Sequence, residues 1–372
     1  MKRLQALEGL RGYAAFLVFL THAFGLLAAK IYGIDADFSL WDSASAGVAV
    51  CMLLFRSHYG VDLFFVLSGL LMADIAVRRW PGTRRFLERR ALRIYPAYLA
   101  SLAVAAVIAI LWVGRPISAA DAAANAAFLQ GFFVLGIPAI NPVTWSLSYE
   151  AAFYLGVPLL ALAWSGRPQL AAGRASLGLM LAAFAIVVAV SALAPGAKSI
   201  YFAYFALFVP GIFLGVLDPE ARQRLARRLP TGFAVATWIA FVAAVKLEWI
   251  SNLDPHYYLA SGVACGLLVL KACDEAGPLA RWLTRKPALW LGRYSYSFFL
   301  VHYIVLHVLG SVLTSAMGAA AGSTVGMAAG SMVGMAHPAA YAVLLVGGGF
   351  AFSLAAARVL YAVAERFYFE RR

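Results

Sequence analysis

The sequence predicts an all-α fold: a polytopic integral membrane bundle of about ten transmembrane helices with both termini cytoplasmic. Three observations carry this: an apolar composition, ten apolar stretches of spanning length, and positive charge gathered on one side. Of 372 residues, 63% are hydrophobic and 13% charged, and the mean hydropathy is +0.82. Soluble domains are about half apolar and about a quarter charged, so a soluble enzyme is excluded. A disordered chain is excluded too, because it needs low hydrophobicity with high net charge. The formal charge of +13 does not point to nucleic acid, because the Lys and Arg residues sit in short clusters between apolar stretches, as membrane loops do. Cys51, Cys265 and Cys273 lack C-x-x-C spacing and read as packing residues, with no disulfide framework and no metal site.

A hydrocarbon core of about 30 Å needs roughly 20 apolar residues per helix. The qualifying stretches are 10–29, 59–77, 94–114, 145–164, 175–194, 201–217, 231–250, 256–272, 288–309 and 338–363. The first, preceded by Glu8 and carrying Arg11 and His22, is too long and too polar for a cleavable signal peptide. Residues 46–55 (AGVAVCMLLF) are too short to span and read as a surface or re-entrant piece. Residues 310–337, rich in Gly, Ala, Ser and Met, read as a flexible outer loop or as a small-residue helix in the bundle. With a cytoplasmic N-terminus, alternating spans place 25 of the 30 Lys and Arg residues inside. Lys30, Arg56, Arg115, Lys198 and Lys246 fall outside, as the positive-inside rule allows. No internal repeat is visible, and 1–372 reads as one transmembrane domain without a fused soluble domain.

An ionisable group inside a span costs roughly 2.5–3.5 kcal/mol, so each needs a reason. At 1.5 Å per helical residue, His22 lies about 16 Å outward of Arg11, Glu150 about 8 Å below Trp145, and His302 about 20 Å up the ninth span. Counting therefore places His22, Glu150 and His302 in one layer in the outer half of the bilayer. Asp62 falls near the outer end of the second span, with Ser68 about 9 Å deeper. Plainer readings stand beside these. An intramembrane His can simply bond a neighbouring carbonyl, and Asp62 can bond a helix end. His58, His256 and His337 read as solvated loop residues, and Lys246 and Glu248 as snorkelling ones. The basic run at 84–93 is either an anchor on anionic lipid or a phosphate site. Arg89, Arg90 and Arg93 share one helical face by spacing, and forked guanidinium groups suit clustered phosphates. Arg11 and Arg293 enter at the same level.

LEGLRGYAAFLVFLTH (7–22), GVDLFFVLSG (60–69), RRALRIYPAY (89–98), TWSLSYE (144–150) and GRYSYSFFLVH (292–302) follow one another along the chain. Together they resemble the ordered motifs of membrane-bound acyltransferase family 3. Arg11 and His22 match its Arg-x10-His spacing, and Arg90 and Arg93 its Arg-x-x-Arg. The resemblance implies a ten-helix enzyme of the bacterial cytoplasmic (inner) membrane that moves an acyl group, usually acetyl, from cytosolic acyl-CoA to a hydroxyl. The acceptors it implies are carbohydrates or glycoconjugates, including O-antigen, exopolysaccharide, peptidoglycan, nodulation signals and glycolipids. It implies that Arg11 and His22 are essential and that Arg90 and Arg93 handle the donor.

Both lines lead to one expected mechanism. Coenzyme A docks its phosphates near Arg11, Arg90 and Arg93, and its pantetheine arm threads outward toward His22. Neutral His22 acts as general base, with Glu150 as its orienting partner. Ser68, Ser146, Ser148 and Tyr149 are unranked donors to the developing oxyanion; Asp62, Trp145 and His302 are further candidates. A covalent relay on a side chain is the alternative to direct transfer. A transporter or flippase of a lipid-linked sugar would also want basic loops and an intramembrane His/Glu layer. The ordered motifs and the missing repeat count against it.

Overall fold

The computed structural model describes residues 5–34, 39–43, 45–164, 201–320 and 337–370, with two isolated positions, 178 and 182. Among these residues the chain is helical and contains no strand. The helices are α1 (Gln5–Leu27, continued by a π turn, Ala28–Tyr32), α2 (Ala46–Phe55), α3 (Gly60–Arg78), α4 (Thr83–Leu111), α5 (Ala119–Ala126) and α6 (Trp145–Trp164). After the expected span 175–194, which apart from positions 178 and 182 lies outside the described residues, come α7 (Phe208–Val216), α8 (Pro219–Arg228), α9 (Thr231–Lys246), α10 (Pro255–Ala272), α11 (Pro278–Leu283) and α12 (Lys286–Ala320). The last is α13 (Pro338–Tyr368), which contains two π turns. Six stretches are long and apolar enough to cross a membrane, or seven if the pair Ala203–Val216 and Pro219–Arg228, bent by 108°, is one span. Thr231–Lys246 is a shorter apolar helix.

Residues 46–55 are not a surface piece. α2 and α3 form one interrupted stretch, Ala46–Arg78, that runs antiparallel to α1. Gly47 meets Tyr32, Phe55 meets Gly25, and Gly60 meets Ala14 and Val18. A helix end leaves unpaired carbonyls, and here a cation takes them. Lys246 donates to the carbonyl of Leu53, to that of Arg56 at 3.5 Å and to Ser57 Oγ at 3.2 Å. Arg56 pairs with Glu248 at 2.8 Å. Lys246 and Glu248 therefore clasp the break instead of snorkelling, and His58 stacks on Tyr257 at 5.6 Å instead of lying in a solvated loop.

The interruption also shifts the depth scale. Because this stretch starts at residue 46, Asp62 lies inside the bundle. It is 1% exposed and accepts 2.6 Å hydrogen bonds from the hydroxyls of Tyr257 and Ser261, so it does not cap a helix end. The first part of the expected loop 310–337 is also helix, since α12 continues to Ala320. Its hydroxyls turn back onto their own helix, Ser311 to the His307 carbonyl and Thr314 to that of Gly310. The rest of that segment, 321–336, lies outside the described residues.

Glycines bring the helices to backbone contact, as small residues do where there is no hydrophobic drive between helices in lipid. A Cβ on Gly69 of α3 would lie 2.1 Å from the Phe208 carbonyl oxygen, and one on Gly211 of α7 would lie 1.9 Å from that of Val66. The parallel helices α1 and α12 meet in the same way, with a Cβ on Gly12 falling 2.7 Å from the Gly292 nitrogen and one on Gly292 falling 2.0 Å from the Glu8 oxygen. Gly69→Ala is expected to push α3 and α7 apart at a cost of about 1–3 kcal/mol, visible as a lowered Tm in detergent. Gly156→Ala, which meets nothing within 4 Å, should leave Tm unchanged or raised; equal Tm values for the two variants would contradict this packing.

Candidate active site

Two polar clusters stand one above the other inside the bundle. The inner one surrounds a cavity of about 490 Å³ whose lining includes Arg11, Arg79, Arg90, Arg93, Arg222 and Arg293. Three carboxylates, Glu8, Asp74 and Glu150, also face it. Spacing on α4 explains two of the arginines. Arg90 and Arg93, three residues apart, share a helix face, whereas Arg89 is turned away and exposed, so the expected trio is a pair. The Arg90 guanidinium lies 5.9 Å from the ring centres of both Phe86 and Tyr154 and donates to the Tyr368 hydroxyl at 3.4 Å. Arg93 lies 6.0 Å from the Tyr368 ring.

Next to the cavity's Asp74 and Arg79, Arg78 gathers the carbonyls at the end of α7, those of Gly215 at 2.7 Å and Val216 at 3.1 Å, and that of Leu217 just beyond it. Asp74 neutralises Arg78 at 2.8 Å and also pairs with Arg79. Arg222, at the start of the bent segment, donates to the Leu214 carbonyl at 3.1 Å. A basic carbonyl cap of this kind fixes the chain where the helix stops.

Glu150 belongs to this inner layer. Ser68 donates to it at 2.8 Å, the Tyr154 hydroxyl donates as well, and it lies within electrostatic reach of Arg11 together with Arg93 and Glu365. The expected pairing of Glu150 with His22 is therefore not what the fold makes. Of the four hydroxyl candidates, Ser68 and Ser146 line the cavity. Ser148 accepts from the Gly131 amide at 2.9 Å, and Tyr149 is buried among Phe132, Trp145 and Phe205. Trp145 itself packs on Tyr204 at 4.9 Å.

The outer cluster is a pair of imidazoles. His302 is fully buried and stacks on Phe298 at 5.8 Å. Its Nδ1 lies 2.8 Å from the Phe299 carbonyl and 3.1 Å from that of Phe298. Its Nε2 lies 3.0 Å from Nδ1 of His22, which is 2.9 Å from the Val18 carbonyl. His22 is half-buried and meets the edge of Tyr303 at 5.3 Å, and Tyr303 in turn packs on His307 at 4.1 Å. The two clusters adjoin through Phe64 and Phe299, which line the cavity. The Phe299 ring is 6.0 Å from that of His302.

Sequence reasoning missed Tyr154 and Glu365. Tyr154 stands four residues after Glu150, the helical spacing that brings side chains together. Glu365 is 3% exposed, bonded by Ser297, and lies just past the last apolar stretch, outside the spans in which an ionisable residue needs a reason. Among the described residues no group of three or more His, Cys, Asp or Glu could hold a metal ion.

A helical membrane bundle with a cavity lined by charged groups, and an imidazole pair adjoining it through Phe299, fits a membrane-embedded transferase. The family model described as an acyltransferase domain matches residues 4–358, and the chain belongs to that family, the family 3 acyltransferases. It is 24% identical over 286 residues to the peptidoglycan O-acetyltransferase OatA of Listeria monocytogenes, covering 68% of this chain and 46% of that protein. It is 25% identical over 285 residues to the O-acetyltransferase OatA of Staphylococcus aureus (66% and 45%). To the putative peptidoglycan O-acetyltransferase YrhL of Bacillus subtilis it is 27% identical over 281 residues (66% and 44%). The chain thus spans less than half the length of these curated relatives. No solved structure matches it.

Proposed function

We propose that this chain transfers an acyl group, acetyl in the first instance, from cytosolic acyl-CoA to a carbohydrate hydroxyl presented from the other side of a bacterial cytoplasmic membrane. The observation that carries this is that Arg11, Arg90, Arg93 and Phe299 line one and the same cavity, with the His302–His22 pair beside Phe299. The arginines receive the donor's phosphates, since forked guanidinium groups suit several phosphate oxygens at once. The pantetheine arm passes Phe64 and Phe299 to bring the thioester to His22. His22 takes the proton of the acceptor hydroxyl, which attacks the thioester carbon directly. Glu150, held by Ser68 and Tyr154, offsets part of the positive charge of the arginine layer. Ten spans and cytoplasmic termini fit this polarity, because they put the arginine layer on the side where coenzyme A is found. The similarity to peptidoglycan O-acetyltransferases makes a peptidoglycan-type glycan the first acceptor to try.

The test is release of free thiol from acetyl-CoA by the detergent-purified protein, with and without chitooligosaccharides or soluble peptidoglycan fragments. Acceptor-dependent thiol release is the expected result. Protein that binds a lipid-linked sugar yet neither binds acetyl-CoA nor frees thiol would move the assignment to a flippase.

A further inference from the structure

The hydrogen bonds of the two imidazoles have only one consistent sense. Carbonyl oxygens accept and never donate. The carbonyls of Phe299 and Phe298, at 2.8 and 3.1 Å, therefore place the hydrogen of neutral His302 on Nδ1 and leave its Nε2 as an acceptor. The Val18 carbonyl at 2.9 Å likewise places the hydrogen of His22 on Nδ1, where it is shared with His302 Nε2 at 3.0 Å. The opposite tautomer on either ring would set a nitrogen lone pair against a carbonyl oxygen. What is left is Nε2 of His22, which has no protein partner among the described residues.

We propose that His302 is a positioning residue for His22. Together with the Val18 carbonyl it holds His22 in the tautomer whose Nε2 is free to take a proton, and it shares the charge that follows. The inference rests on His22 being the base of the proposed acyl transfer. A carboxylate would ordinarily hold such a base, but Glu150 is engaged with Ser68 and Tyr154, so a second imidazole and two helix carbonyls do this work.

The proton movements balance. As the acceptor oxygen bonds to the thioester carbon, its proton goes to Nε2 of His22. The proton on His22 Nδ1 can then pass to Nε2 of His302, which carries the charge while its own Nδ1–H points at two carbonyls. When the C–S bond breaks, the proton returns from His302 to Nδ1 of His22. Nε2 of His22 then gives its proton to the departing thiolate, leaving coenzyme A as the thiol and both rings neutral. The other titratable groups facing the pair are Tyr303 and His307 on α12, with Lys30 beyond α1 in electrostatic reach of His307. Phe19 and Phe350 form the apolar wall.

The test uses the purified protein with acetyl-CoA and acceptor, together with nitrogen NMR of histidine-labelled protein. The His22 signals among the 6 histidines are identified by difference from a His22→Gln sample. The wild type should show His22 protonated on Nδ1 at neutral pH. His302→Phe should let both tautomers appear and lower kcat by roughly 10²-fold, with the donor KM unchanged. That is below the roughly 10⁴-fold loss when a base takes the wrong tautomer outright, because Val18 still holds one side. His302→Gln keeps an acceptor for His22 but cannot relay, so it should restore the tautomer and part of the rate. The proposal is overturned by a wild-type His22 protonated on Nε2, by a His302→Phe kcat close to wild type, or by loss of donor binding in both variants. If His302→Phe does not fold, the wild-type spectrum and His302→Gln decide the matter. Turnover retained in His22→Ala would instead remove the base role, and with it the acyl-transfer mechanism proposed above.

Discussion

Replacing His22 with alanine is expected to lower turnover by roughly 10²- to 10⁴-fold, the range a positioned general base contributes, while acetyl-CoA still binds. The separation of the two effects comes from geometry. The arginines line the cavity, and His22 stands about 16 Å beyond Arg11 along the same helix. Alanine keeps α1 helical, but it leaves buried His302 Nε2 without its His22 partner, so Tm measured on the same sample separates fold loss from lost base catalysis. Single-turnover thiol release and equilibrium donor binding, measured on the same sample, read the two separately. Turnover near the wild-type level would remove His22 as the base.

Arg90→Ala/Arg93→Ala is expected to act on the other half of the reaction. Hydrogen bonds to charged groups contribute about 1.5–3 kcal/mol each, so two lost guanidinium contacts should raise the donor Kd by roughly 10²-fold or more. The kcat at saturating donor should change little, because neither side chain reaches the imidazole pair. Replacing both with lysine keeps the charge but not the fork, and should fall between the two. Exposed Arg84 and Arg85 provide the contrast: their replacement should leave the donor Kd unchanged. An unchanged Kd in the Arg90/Arg93 variant would return that run to lipid anchoring.

The sequence made the helical class legible because burial in lipid forces long apolar runs, and it made the arginine face legible because helical spacing is local. Depth was not legible. Counting 1.5 Å per residue from assumed span ends put Glu150 beside His22. The ends of the spans do not share a level, however, and the break at 56–59 slides all of α3 inward. Ser68, and Glu150 with it, thus came to rest among the arginines. The histidine pair was half legible, since matching depth named both rings, but nothing local says which nitrogen meets which carbonyl. Lys246 shows the same limit: its charge at a helix end looks like snorkelling until the unpaired carbonyls of Leu53 and Arg56 are seen beneath it.

The glycine contact between α1 and α12 has a consequence for how the protein sits in different membranes. From Gly12 to His22 and from Gly292 to His302 the chain advances by the same ten residues, so the two helices work like tongs with equal arms of about 15 Å. The backbone pivot sets the 3.0 Å gap at the tips. A spanning helix answers a thicker or thinner bilayer mainly by tilting, and tongs closed at the pivot tilt as one piece. Proton exchange between the two rings should therefore be indifferent to lipid chain length, even where that length alters how deeply the acceptor must reach.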